Sequence, residues 1–335
     1  MALALFVAWP VEDLAGRALR LALDRALAAL PGGGAGRRLV SVLIDAAAVP
    51  PAHAVQALLA DAARRLELAA DLEASLALDA RTIAPHYLAD YRAAGVNRLS
   101  LRAGSLDATA QAALATAAGL FPRCALDLSF GRPRQSLAGW RAELDRAVQL
   151  GACHISLEEH AVAAEDANSD RAAADYRLAI DRLSAAGLPP YEIAHFARPG
   201  HEARQLLHGA TGGDYLGIGP GAVGRVTVGE VCHALAQVEP VAAWLRAVET
   251  GAETLQQELR ADERRTELLL SGLRLRAGIG RTWFEPEAGP LEAALDPGRL
   301  APLIEDGFVE LDREGLRLTE RGWPFCDGIL ARLLH

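Results

Sequence analysis

The sequence predicts an α/β protein: a partial (βα)6 TIM-type barrel followed by a small winged-helix-like domain. Three observations carry this. Up to about residue 160, short apolar runs alternate with longer amphipathic ones, the pattern of repeated strand-helix units around a parallel sheet. No GxGxxG follows the first apolar run, which argues against a doubly wound dinucleotide-binding sheet. From about residue 258 the character changes to helices and a single hairpin.

The strands are expected at 3–9, 38–44, 73–79, 97–103, 123–129 and 152–158. Helices are expected between them at 12–30, 52–68, 83–94, 107–119 and 135–150, with another at 168–187. An irregular stretch follows, with one strand over Tyr191 to Phe196 and a glycine-rich run from Gly213 to Gly221, where Gly217, Gly219 and Gly221 permit tight turns or close approach to a ligand. The tail reads as a long helix, a second helix near Pro297 to Glu305, a hairpin at Asp312 to Gly315 and a last helix from Glu320. The expected division is therefore 1–230 for the barrel with its extension, 231–257 for a linker or helix and 258–335 for the tail. The helix ending Leu268-Leu269-Leu270, with Leu273, Leu275, Leu303, Ile304, Leu316, Leu318 and Leu330, gives the tail an apolar face for its own core or for docking on the barrel.

With 335 residues, 51% of them hydrophobic, the chain has enough apolar surface for a full core. A net charge of −9 makes nucleic acid an unfavourable partner, because that affinity comes from neutralising phosphates. The tail, with 11 arginines against 15 acids over residues 257–335, stands at −4 and is expected to pack or bind a partner rather than read DNA. No apolar run reaches the length of a membrane span, and the N-terminus lacks the basic region and cleavage site of a signal peptide, so a cytoplasmic location is expected. Cys124, Cys153, Cys232 and Cys326 are scattered and form neither a disulfide framework nor a cluster motif.

Six segments stand in order along the chain: Ala94-Gly95-Val96-Asn97-Arg98-Leu99-Ser100, Leu126 to Pro133, His154-Ile155-Ser156-Leu157, Tyr191 to Gly200, Gly213 to Gly224 and Gly272 to Ile279. Together they resemble the HemW/HemN-type radical S-adenosylmethionine family, which includes oxygen-independent coproporphyrinogen oxidases and heme chaperones. Leu318-Thr319-Glu320-Arg321-Gly322 resembles the entry to the family's C-terminal domain.

The departures from that family carry as much weight. Its CxxxCxxC loop supplies three thiolates to a four-iron cluster, whereas the same place here reads Trp9-Pro10-Val11-Glu12-Asp13-Leu14-Ala15-Gly16-Arg17. The GGGTP turn, which receives the methionine moiety on bare backbone, becomes Asp45-Ala46-Ala47-Ala48-Val49. The glutamate of EANP falls on Ala77, the glutamine of the fourth strand on Gly104, and the arginine that follows is missing from 108–118. HNxxYW aligns with Gln205 to Ala210, and the histidine of the GAH turn is Val223. Of the aligned cofactor contacts, Asp127 remains. The resemblance therefore implies the scaffold with neither the cluster nor S-adenosylmethionine, and no cofactor is expected.

Period-two alternation, with Asp127 taken as inward, turns Asp127 and Ser129, Ser100 and Arg102, and His154, Ser156, Glu158 and His160 into the barrel. Two readings of these groups stand. They form a new pocket, with Asp127 and Arg102 as binding residues and Glu158 and His160 as the catalytic candidates, or Arg102 pairs with Asp127 or Glu158 in a structural ion pair. No metal site is expected: the spacing of His195, His201 and His208 does not put the three on one helix face, and each reads as a surface or locally hydrogen-bonded histidine. The functional expectation is a noncatalytic HemW-like protein that binds a small ligand, a tetrapyrrole or a protein partner. An active heme chaperone or coproporphyrinogen oxidase-like enzyme is the second reading, and a hydrolase or lyase using Glu158 and His160 the third.

Overall fold

A computed structural model describes residues 1–11, 15–160 and 169–334. The barrel half alternates as expected: β1 (Ala2–Trp9), α1 (Ala15–Ala29), β2 (Arg38–Ala46), α2 (Ala52–Arg65), β3 (Glu67–Asp79), α3 (Leu88–Ala93), β4 (Arg98–Gly104), α4 (Ala108–Leu120), β5 (Arg123–Phe130), α5 (Leu137–Gln149), β6 (His154–Glu159) and α6 (Ser169–Ala185). The residues expected at the very start of the first helix, 12–14, and at 168 lie outside the described residues. Local chemistry sets several boundaries. Asp107 caps α4 by accepting from the Ala110 amide, and Ser136 caps α5 by accepting from Gly139. Ala15, Leu19, Ala22, Leu23 and Leu27 recur at helical spacing and form the buried stripe of α1.

Next come β7 (Pro190–Glu192), β8 (His195–Ala197), α7 (Arg204–Ala210), β9 (Asp214–Ile218), β10 (Val223–Val228), β11 (Val231–Gln237), α8 (Val241–Thr250) and β12 (Thr254–Glu258). The strand expected over Tyr191 to Phe196 is thus two short strands paired antiparallel. Residues 231–257 include a helix, α8, as expected, but are not a linker: β11 and β12 pair antiparallel with their neighbours and extend the sheet, so the barrel unit runs on to Glu258. The twelve-stranded sheet has the order β12-β11-β10-β9-β1-β2-β3-β4-β5-β6-β8-β7. Its middle is parallel, from β9 through β1 to β6, and both ends are antiparallel wings. Leu3, Leu5, Val7, Ile44, Leu76, Leu99, Leu126 and Ile155 pack on the helix side, so the alternate residues line the lumen.

The tail comprises α9 (Ala261–Gly272), β13 (Ile279–Gly280), α10 (Arg281–Ala288), α11 (Pro297–Glu305), β14 (Val309–Leu311), β15 (Gly315–Leu318) and α12 (Cys326–Leu334), with a small sheet in the order β13-β15-β14. Its core holds Leu268, Leu269, Leu273, Phe284, Leu303, Leu316, Leu318 and Leu330. Leu270 and Ile304, expected in that apolar face, are exposed, because each follows a buried leucine directly and is carried round to the outer side of its helix. The tail docks on the barrel through Arg274 to Glu192 (2.9 Å), Arg225 to Glu267 (2.5 Å), Arg264 to the Gly212 carbonyl (2.6 Å) and Trp323 to the Tyr176 hydroxyl (3.1 Å). Among the described residues no helix is long and apolar enough to cross a membrane.

Candidate functional site

The lumen has two ends, and the strand directions place different chemistry at each. At the N-terminal end of the strands, Glu73 on β3 is 1% exposed and receives the Arg204 amide at 3.0 Å. Arg123 and Arg98 approach its other oxygen at 3.3 and 3.5 Å. Arg98 also donates to the His201 carbonyl at 2.8 Å. Ser41 donates to Gln205 at 2.7 Å, so α7 and the segment before it lie across this end as a floor.

One step up the lumen, the Ala203 amide donates to the Tyr191 hydroxyl at 3.1 Å, and that hydroxyl lies 2.8 Å from His154 Nε2. His154 is 2% exposed, and burial, reinforced by the Arg98 charge, lowers its pKa well below the ordinary histidine range. The ring is therefore neutral at pH 7. His195 on β8 places Nδ1 3.1 Å from Ser156 Oγ. Its pKa is also lowered by burial, with Glu192 opposing.

Asp127 lies above this layer. Burial raises its pKa, opposed by hydrogen bonds from Ser156 and Ser100 and by the charges of Arg102 and Arg98. The Ser100 hydroxyl is 3.4 Å from its nearer carboxyl oxygen. Leu126, Leu128 and Phe130 are buried on the helix side, whereas Asp127 and Ser129 are only part-buried, which fixes the parity of β5.

At the C-terminal ends of β1, β2 and β4, Arg102 does not pair with Asp127 or Glu158. It hydrogen-bonds the Asp45 carboxylate across β3 and donates to the Ala46 carbonyl at 2.5 Å. Ordinary strand geometry explains this, since an extended arginine on one strand reaches the strand two places away across the small side chain of Ala77. The pair is open to solvent, with Arg102 37% and Asp45 48% exposed. Beside it Ala8, Trp9, Pro10, Ala47, Pro220 and Val241 wall a cleft of about 380 Å³. Glu158 and His160 are exposed at the rim. The His160 amide donates to the Phe130 carbonyl at 2.9 Å, which ties the backbone but not the side chain.

The three glycines expected to approach a ligand instead approach protein. A side chain at Gly217 would meet the Val223 carbonyl at 2.2 Å, at Gly219 the Ala8 carbonyl at 2.1 Å, and at Gly221 the Glu239 carboxylate at 2.0 Å. His195, His201 and His208 do not gather: His208 bonds the Asp214 carbonyl at 2.8 Å, far from the Ser156 contact of His195. Asp45, Glu73, Tyr191 and the His195–Ser156 contact went unread in the sequence. Only Glu73 left a signal, as an acid directly before the apolar run that packs the second half of β3.

The residues present do not fit the family's cofactors. All four cysteines are buried, and burial pushes the thiols of Cys124 and Cys326 up to about 12, far from the thiolate a metal needs. Cys124 and Cys153 lie at the floor ends of β5 and β6, Cys232 on β11 and Cys326 at the start of α12, none of them beside Trp9. Among the described residues no group of three His, Cys, Asp or Glu is placed to hold a metal ion. Gly104, aligned with the family's glutamine, sits at a β-bulge with φ +64°, a conformation that disfavours a side chain.

Residues 259–325 match the HemN C-terminal domain. The chain is 32% identical over 299 residues to the heme chaperone HemW of Mycobacterium tuberculosis, covering 80% of this chain and 73% of that protein. It is 30% identical over 320 residues to the mitochondrial radical S-adenosyl methionine domain-containing protein 1 of Bos taurus, covering 84% and 72%. HemW of Escherichia coli matches at 28% over 84% of this chain and 80% of its own. The solved coproporphyrinogen III oxidase HemN of Escherichia coli, at 20% identity, shares the fold with a TM-score of 0.79, covering 99% of this chain and 89% of that one. On relatives at 30% and 32% identity matched over more than two thirds of their length, the chain belongs to the HemW/HemN-type radical S-adenosylmethionine family.

Proposed function

We propose that this chain is a HemW-like protein without radical chemistry, which holds a ligand at the mouth of its barrel. The observation that carries this is the Arg102–Asp45 pair. It occupies the turn where the family lays cofactor on bare glycine backbone, next to a loop with no cysteine. The cleft beside it sets two prolines and the small apolar Ala8, Ala47 and Val241 beside one guanidinium, which suits a flat apolar ligand bearing a carboxylate. Asp45 is solvated, so a ligand carboxylate can take its place on Arg102 at little cost. Relatives named heme chaperones make a tetrapyrrole the ligand of first choice. Asp127, Ser100 and Ser156 form the polar bed beneath, and Glu158 and His160 stand at the rim.

The experiment is a thermal melt of the wild type and of Arg102→Ala with metals, nucleosides and porphyrins. A carboxylated porphyrin is expected to raise the melting temperature of the wild type and to lose that effect in the variant. No shift with any of them would discard the mouth as a ligand site and leave a scaffold for protein contact. The relatives' similarity over most of the chain favours a second reading, an active chaperone that carries a cluster, which iron counting after anaerobic reconstitution separates from the first.

A further inference from the structure

The antiparallel wing β10–β12 holds a cavity unconnected with the barrel mouth. Strand alternation turns Val226 on β10 and His233 and Leu235 on β11 toward α1, whereas Arg225 on the opposite face pairs with Glu267 of the tail. Between this face and α1 lies a cavity of about 210 Å³, walled on one side by Ala26, Leu30, Leu216, Val226 and Leu235 and closed at its polar end by Arg25, Gln237 and Glu253. An apolar cavity of roughly 150 Å³ takes benzene, so this one has room for a ring with a short side arm.

The polar end of the cavity is unbalanced. Gln237 is fully engaged, donating to Thr254 at 2.7 Å and accepting from the Trp244 indole at 2.9 Å. Glu253 is not: it is 3% exposed, lines the cavity, and its Oε2 accepts no hydrogen bond from any described residue. Arg25 stands 3.5 Å from that oxygen but gives the same Nη1 to the Val248 carbonyl. A buried carboxylate short of donors gains most from a ligand that brings them, and a charged N–H donor gains more than a neutral one.

We propose that this cavity binds a small apolar primary amine, its ammonium donating to Glu253 and its hydrocarbon lying among Leu30, Leu216, Val226 and Leu235. The test is titration calorimetry on the full chain with phenethylamine, 2-phenylethanol and 3-phenylpropionate, which keep the ring and change the head group. Phenethylamine is expected to bind saturably and about tenfold or more tighter than the other two. Glu253→Gln keeps the shape and should weaken the amine by about tenfold, and Ala26→Phe, which fills the space, should abolish binding. The proposal is overturned if the alcohol or the carboxylate binds as tightly as the amine, if none of the three binds, or if both variants retain wild-type affinity for phenethylamine.

Discussion

The two ends of the lumen are built from the same residue types and differ in what surrounds them. At the floor, Glu73 is met by the Arg204 amide and by Arg98 and Arg123, under the cover of α7. At the mouth, Arg102 and Asp45 meet each other in solvent beside an apolar cleft. A closed network in which both carboxylate oxygens are met leaves the acid little to gain from a ligand and makes every member expensive to remove. An open pair is cheap to break and can exchange partners. Burial, not residue identity, thus separates the structural end from the end proposed to bind a ligand.

That contrast can be broken most forcefully at the floor. Glu73→Ala strands Arg98 in the interior and should destabilise the fold by about 3–5 kcal/mol in urea unfolding. A loss below about 1 kcal/mol would mean that the floor is as yielding as the mouth.

The next effect is on pH. The folded-state pKa values of His154 and His195 are lowered, so the unfolded chain takes up protons first as pH falls below about 6.5. Their contribution is present in full above that pH and is lost on acidification, by up to about 1.4 kcal/mol per histidine for each pH unit below it. Asp127 works in the opposite sense, since its raised pKa favours the folded state at low pH and disfavours it as pH rises. Urea midpoints at pH 7.5 and 5.5 should therefore fall for the wild type and fall less for His154→Gln, whose neutral side chain removes one titrating group. An equal drop in both proteins would show that His154 does not titrate in this way.

The mouth should respond less. Arg102→Ala is expected to change stability by about 0–1 kcal/mol, because its ion pair is solvent-exposed. A loss of several kcal/mol would turn the pair into a structural one. Smallest of all, Glu158→Gln and His160→Ala, both exposed, should stay within about 0.5 kcal/mol of the wild type in the same assay.

Sequence pattern reached the six strand-helix units because their strands bury one apolar side against helices and keep the alternation legible. It missed β12, because Thr254–Glu258 is exposed throughout and is a strand only by pairing with β11. It missed α10, where Pro286 interrupts an otherwise helical run. The same logic divides the site. Alternation told which residues of β5 face inward, but not that Arg102 would span β3 to Asp45, nor that β8 would return antiparallel beside β6 and set His195 on Ser156. Such contacts depend on sheet order and strand direction, which no local pattern records. The missing cysteines needed no structure at all.

The family scaffold is proposed to persist here without its iron–sulfur chemistry. Anaerobic reconstitution with iron and sulfide, followed by desalting, metal and sulfide analysis and a visible spectrum, tests it directly. The expected result is far less than one iron per chain and no sulfur-to-iron charge-transfer absorbance. About four irons and four sulfides per chain, retained through desalting, would contradict it.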